Sequence, residues 1–117
     1  MANCTLTNAV TYANCSVGPA VTLTTGTSVL VIVTSSISTP VSSQGWASFA
    51  TVANCGDATD TRAVMALADG LAAHQLQAST STLVTGLTAG FNTFTMCHRT
   101  SGAITFANRT ITVIPLN

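Results

Sequence analysis

Thr27-Ser28-Val29-Leu30-Val31-Ile32-Val33-Thr34-Ser35-Ser36-Ile37 is the stretch that decides how this chain folds. Val and Ile are stiff at the first side-chain torsion and pack well on a pleated surface, so Thr27–Ile37 is predicted to be a strand. The period of two sends Val29, Val31 and Val33 to one face and Leu30 and Ile32 to the other. Both faces are apolar, so the strand is expected to be covered twice. One cover is a core; the other calls for something further, such as a second subunit. The apolar run is far too short to span a bilayer. Pro40 and the Ser42-Ser43-Gln44-Gly45 cluster end it.

Strand signals continue on either side, with Gly, Pro, Asn and Ser clusters at short intervals. Cys4–Tyr12 reads as a first strand, and Ala20–Thr24 as a second, broken at Thr25-Gly26. Trp46–Val52 follows, with Phe49 facing away from Trp46 and Val52, and then a polar loop from Ala53 to Thr61. Ala63–Ala78 is ambiguous. Its Ala, Leu, Met and Gln content leans towards helix, whereas Asp69-Gly70 offers a tight turn between two short strands. Ser79–Thr85 is strand-like, and Phe91–Arg99 places Phe94, Met96 and His98 on one face. Ala103–Leu116 makes a long last strand whose apolar parity shifts at Asn108, the mark of a bulge; Pro115 suits the end of an edge strand. About eight strands at this spacing predict an all-β, antiparallel β-sandwich, with one domain over residues 1–117.

Composition is as informative as pattern. The chain carries three arginines (Arg62, Arg99, Arg109) and three aspartates (Asp57, Asp60, Asp69), with no Lys and no Glu. A typical soluble domain has about a quarter of its residues charged. Here the polar surface must be built from Thr, Ser, Asn and Gln, which cost far less to desolvate than ionic groups. A neutral, hydroxyl-rich surface suits a protein that lives packed against copies of itself or a large partner. Phosphate neutralisation needs several basic side chains, so nucleic acid is not an expected partner. The 47% apolar content is enough for a self-sufficient core and argues against disorder. Met1-Ala2-Asn3-Cys4-Thr5 shows neither a basic nor an apolar leader region, so synthesis in a cytoplasm is expected and a membrane is not an expected partner.

Catalytic chemistry is not expected, because titratable groups are few and scattered. Cys97 and His98 are strand neighbours, which point to opposite faces and cannot act as nucleophile and base. His74 and His98 are each read as hydrogen-bonded structural residues. Asp57 and Asp60 share a loop, yet calcium needs six to eight oxygens, so solvation or turn formation is the expected role. Cys4, Cys15, Cys55 and Cys97 contain no close pair of the kind zinc sites use; no metal or other cofactor is expected. Buried free thiols are the simplest reading, with a Cys4–Cys15 bridge, closing an N-terminal hairpin, the second. The sequons at Asn3, Asn14 and Asn108 follow from a composition rich in Asn, Ser and Thr. Arg99 and Arg109 are candidates for defined pairs with an Asp of the same or a neighbouring subunit, or for guanidinium groups that snorkel to water.

Gln77-Ala78-Ser79, Leu83-Val84-Thr85-Gly86-Leu87-Thr88-Ala89-Gly90-Phe91-Asn92-Thr93-Phe94-Thr95, Phe106-Ala107-Asn108-Arg109 and Val113-Ile114-Pro115-Leu116 resemble the C-terminal strands of small jelly-roll modules in phage and bacterial surface proteins. Ser28-Val29-Leu30-Val31 and Gly45-Trp46-Ala47-Ser48-Phe49-Ala50 fit the same pattern, which is similar to trimeric jelly rolls of the complement and tumour-necrosis-factor type. The resemblance implies a jelly roll, with strand, turn and strand over Ala63–Ala78. Gly86–Phe94 also resembles a late turn of fibronectin type III domains, so an immunoglobulin-like sandwich is the alternative.

Short stand-alone chains of this kind look like capsid decoration (cement) proteins. The resemblance therefore implies a non-enzymatic homotrimer on a virion surface, bound to the major capsid protein of a phage shell. A receptor- or glycan-binding module such as a fibre tip is the alternative, with Trp46 and Tyr12 as exposed stacking platforms. Tyr12, Val29, Val31, Val33, Arg99 and Arg109 are the candidate interface residues. Residues 1–17 lie outside the resemblance and are a candidate anchor to the shell.

Overall fold

In a computed structural model, residues 4–7, 9–14, 19–38, 42–52, 54–69 and 75–116 are described. They form eight strands: β1 (Cys4–Leu6), β2 (Ala20–Thr25), β3 (Val29–Ser38), β4 (Ser42–Ala50), β5 (Val64–Asp69), β6 (Gln75–Val84), β7 (Gly90–Thr100) and β8 (Ile104–Pro115). All pairings are antiparallel. One sheet has the order β1-β8-β3-β6 (sheet A) and the other β2-β7-β4-β5 (sheet B). The protein is an all-β antiparallel sandwich. First strand pairs with last, second with seventh, third with sixth and fourth with fifth, while β3·β8 and β4·β7 join these hairpins into sheets.

The core lies between the sheets. Val29, Val31 and Val33 are fully buried there against Phe49, Phe94, Met96, Ile104 and Phe106. That fixes which face of β3 does what. The three valines are consumed by the chain's own core, which removes them as subunit-interface candidates; Leu30 and Ile32, half-buried on the outer side, are the residues left for a second cover.

Two local expectations change. The described residues of Ala63–Ala78 form no helix: β5 pairs with β4 over Ser42–Ala47, and β6 pairs with β3 along ten residues. Helix propensity differs among residues by only a few tenths of a kcal/mol, so the sheet pairings decide. Gly70, the expected turn glycine, and His74 lie outside the described residues.

Cys4–Tyr12 is likewise not one strand. Cys4–Leu6 pairs with β8 in sheet A, and Ala9–Ala13 runs along β7 in sheet B. Ala13 N donates to His98 O (2.9 Å), His98 N to Ala13 O (3.0 Å) and Thr100 N to Ala9 O (2.8 Å). The described part of the candidate anchoring segment is thus built into both sheets of its own module.

The parity shift in β8 is a bulge: Thr34 pairs with Thr110 but Ser36 with Ala107, and Asn108 adopts a left-handed φ of 49°. β8 lies between β1 and β3 rather than at an edge. Pro115 is tolerated because β1 pairs only as far as Phe106, leaving that flank open.

Candidate functional site

Arg99 and Trp46 stand opposite each other on β7 and β4, on the outer face of sheet B. The guanidinium carbon lies 3.7 Å from the Trp46 ring centre and 5.7 Å from that of Tyr12. Arg99 also donates to Asp60 Oδ2 at 2.9 Å, and Tyr12 donates through its hydroxyl to Asp60 Oδ1 at 2.6 Å. One carboxylate thus links the N-terminal segment, the β4–β5 loop and β7. The bond from Tyr12, then the charge of Arg99, outweigh slight burial and hold Asp60 below the usual carboxylate range. Burial, and then the neighbouring Asp60, push the Tyr12 phenol well above its usual value.

The loop reaches this position because a disulfide joins Cys55 to Cys97, across 42 positions of sequence, with Cα atoms 5.9 Å apart. Cys97 points outward from β7, so the bridge pins the loop onto sheet B. Ala50, Cys55 and Cys97 form a small second core, with Tyr12 and Ala58 packed against it. Ser48 donates to Thr59 O at 2.8 Å beneath the loop. Asp57 accepts from Thr51 N at 2.8 Å and from the Thr51 hydroxyl, and lies 3.5 Å from Arg62. Burial works against its ionised form, but the Thr51 bonds and the Arg62 charge prevail and lower its pKa. Both loop carboxylates are therefore engaged by their own chain. No cluster of three metal-ligating side chains occurs among the described residues.

Between the loop and residues 10–12 lies an open cleft of about 520 Å³, walled by Val10, Tyr12, Asn54, Thr59 and Asp60 with Arg99 beside them. Cys55, on its rim, holds a left-handed φ of 62°. That conformation is uncommon for a residue with a Cβ.

The other candidates are scattered. His98 is fully buried against Phe106, with ring centres 4.6 Å apart. Neither of its nitrogens has a hydrogen-bond partner among the described residues, contrary to the structural role expected. Burial, and then the charge of Arg109, push its pKa down to about 3. Cys97 and His98 do point to opposite faces, and Cys97 is spent in the disulfide. Arg109 is 3% exposed beside the bulge, so it neither snorkels to water nor lies on an outer face. No described cysteine is a free thiol, which corrects the simplest sequence reading. Cys4 is buried, and Cys15, its expected partner, lies outside the described residues.

A second surface occupies the outer face of sheet A. Leu83, Leu30 and Ile114 form a cross-strand row, followed by Ser81, Ile32 and Thr112, then Ser79, Thr34 and Thr110. Leu83 is 60% exposed and Ile114 41%. None of these nine residues is charged.

Sequence reasoning singled out Tyr12 and Arg99, and the structure brings them together; the Asp partner expected for Arg99 is Asp60, whereas the Tyr12–Asp60 bond and the Cys55–Cys97 bridge were missed. An even cysteine count was the only available signal for the bridge, and a count does not give connectivity. Comparison with protein-family models, with curated proteins and with solved structures gave no match.

Proposed function

We propose that this protein is a non-enzymatic structural protein that packs against copies of itself, as a homotrimeric jelly-roll decoration (cement) protein on a phage head. The observation that carries the reading is the uncharged outer face of sheet A. Three long strands at about 4.8 Å spacing and ten residues at about 3.3 Å give about 500 Å² in projection. That is the scale of one side of a standard interface, about 800 Å² per partner. Closed symmetry is the usual outcome when such faces self-associate. Each oligomer then bridges neighbouring shell subunits and stabilises them by mass action.

Two further observations support it. Pairing first strand with last, second with seventh and so on inward is the winding expected of a jelly roll, and it differs from the immunoglobulin strand order. The Cys55–Cys97 disulfide suits a surface that meets oxidising surroundings outside a cell. Sedimentation at micromolar concentration is expected to give one species of three chains, and Leu83→Asp to give monomers. A wild-type monomer, or a Leu83→Asp variant that still trimerises, contradicts the proposal.

A further inference from the structure

We infer that the cleft between residues 10–12 and the β4–β5 loop is a binding site for a neutral saccharide. Its volume, about 520 Å³, falls within the ~300–1,000 Å³ of small-molecule sites, and its openness suits one or two sugar rings reached from solvent. The chemistry of the walls selects the ligand. Asp60 and Arg99 are ion-paired at 2.9 Å, so their charges cancel and give no net attraction for an ion. Both keep hydrogen-bonding capacity. Each carboxylate oxygen of Asp60 has two acceptor sites and has one partner among the described residues, and the side chain is 58% exposed. Arg99 has five donors. Adjacent acceptors and donors suit vicinal hydroxyls, which both give and receive protons. The Tyr12 ring and Val10, which is 67% exposed, supply apolar contact for the C–H faces of a pyranose.

A peptide is the weaker candidate. Extended peptides bind by adding to a free strand edge, and here the edge of β7 is already taken by Ala9–Ala13. The cleft is also built to keep its shape. The Cys55–Cys97 bridge braces one wall and the paired backbone of Ala13 and His98 the other, so little ordering cost falls on binding. The strained φ of Cys55 on the rim fits a conformation retained for use, since such residues gather at ligand clamps.

The test is a titration of the ¹⁵N-labelled protein with millimolar maltotriose, diacetylchitobiose and lactose, with sialyllactose and inorganic phosphate as charged counterparts. At least one neutral sugar is expected to shift the amides of Tyr12, Gly56 and Asp60. Asp60→Asn is expected to weaken it by about tenfold, the loss of one charge-assisted bond. Asn54→Ala, elsewhere on the loop wall, is expected to weaken binding with only a small change in the unfolding midpoint, because the one bond its side chain accepts, from Gly56 N, is exposed to solvent. Absence of any neutral-sugar shift, shifts only with sialyllactose or phosphate, shifts away from the cleft, or wild-type affinity in both variants overturns the inference. Asp60→Asn should sediment as wild type, because the cleft and the uncharged face lie on opposite sheets. A failure here therefore leaves the assembly reading to its own test.

Discussion

Arg99 stacks its guanidinium 3.7 Å from the ring centre of Trp46, the residue directly across from it in the sheet. Trp46 is the chain's single tryptophan, so its fluorescence reports that stack alone. Arg99→Lys keeps the charge but loses the planar group. The emission of Trp46 is expected to shift to the red and stability to fall by about 1 kcal/mol. Unchanged emission in the Lys variant contradicts the stack. The same stack covers one face of Trp46, which removes that face as a platform for a sugar ring; Tyr12 retains its place in the cleft wall.

Replacing both Cys55 and Cys97 by Ser removes a cross-link spanning 42 positions. The chain-entropy relation gives a loss of about 4 kcal/mol for a loop of that size. Urea unfolding of the double variant should show it, together with weakened protection of the Tyr12 hydroxyl and the Asp60 loop. A midpoint equal to wild type would show that the bridge adds nothing.

His98 makes stability depend on pH. Its pKa is near 6.5 in the unfolded chain and about 3 in the fold, so between those values the unfolded state binds the extra proton. Stability from this group is full above about pH 6.5 and declines on acidification towards pH 3, by about 1.4 kcal/mol per unit. Asp57 and Asp60, with pKa values lowered in the fold, add their losses only below about pH 4. Urea midpoints measured from pH 7 to pH 4.5 therefore lie above the range of these two aspartates. His98→Leu should flatten that interval; a slope that persists in this variant assigns it elsewhere.

Deleting Ala2–Val17 takes Cys4 out of the core and strips Ala9–Ala13 from the edge of β7. The truncated chain is expected to lose its cooperative unfolding transition in circular dichroism. Retention of a transition with the wild-type midpoint would return the segment to the role of a detachable anchor.

What the sequence made legible follows from how local each signal is. Alternation alone placed Phe94, Met96 and His98 on one face, and all three are fully buried. The shift at Asn108 was visible because a bulge breaks the period of two within a few residues. The two faces of β3 were separable, but which of them met the core was not, since both are apolar. The Cys55–Cys97 bridge and the Tyr12–Asp60 bond were hidden for one physical reason. They join residues brought together only after β7, the loop and the N-terminal segment have found their places. The change of sheet between Leu6 and Ala9 has no residue signature of its own.

One of the two interior strands of sheet A, β8, is the last of the eight in sequence. β8 lies between β1 and β3, so on a ribosome β1 has no sheet partner and β3 lacks one flank until Ile104–Pro115 has emerged. Completion of sheet A therefore waits for β8 and is dominated by distant pairings, which are slow to form. In that interval the apolar edges of β3 stand open to neighbouring chains. With almost no charge to keep copies apart, the yield of native protein should depend on how far apart its nascent chains are made.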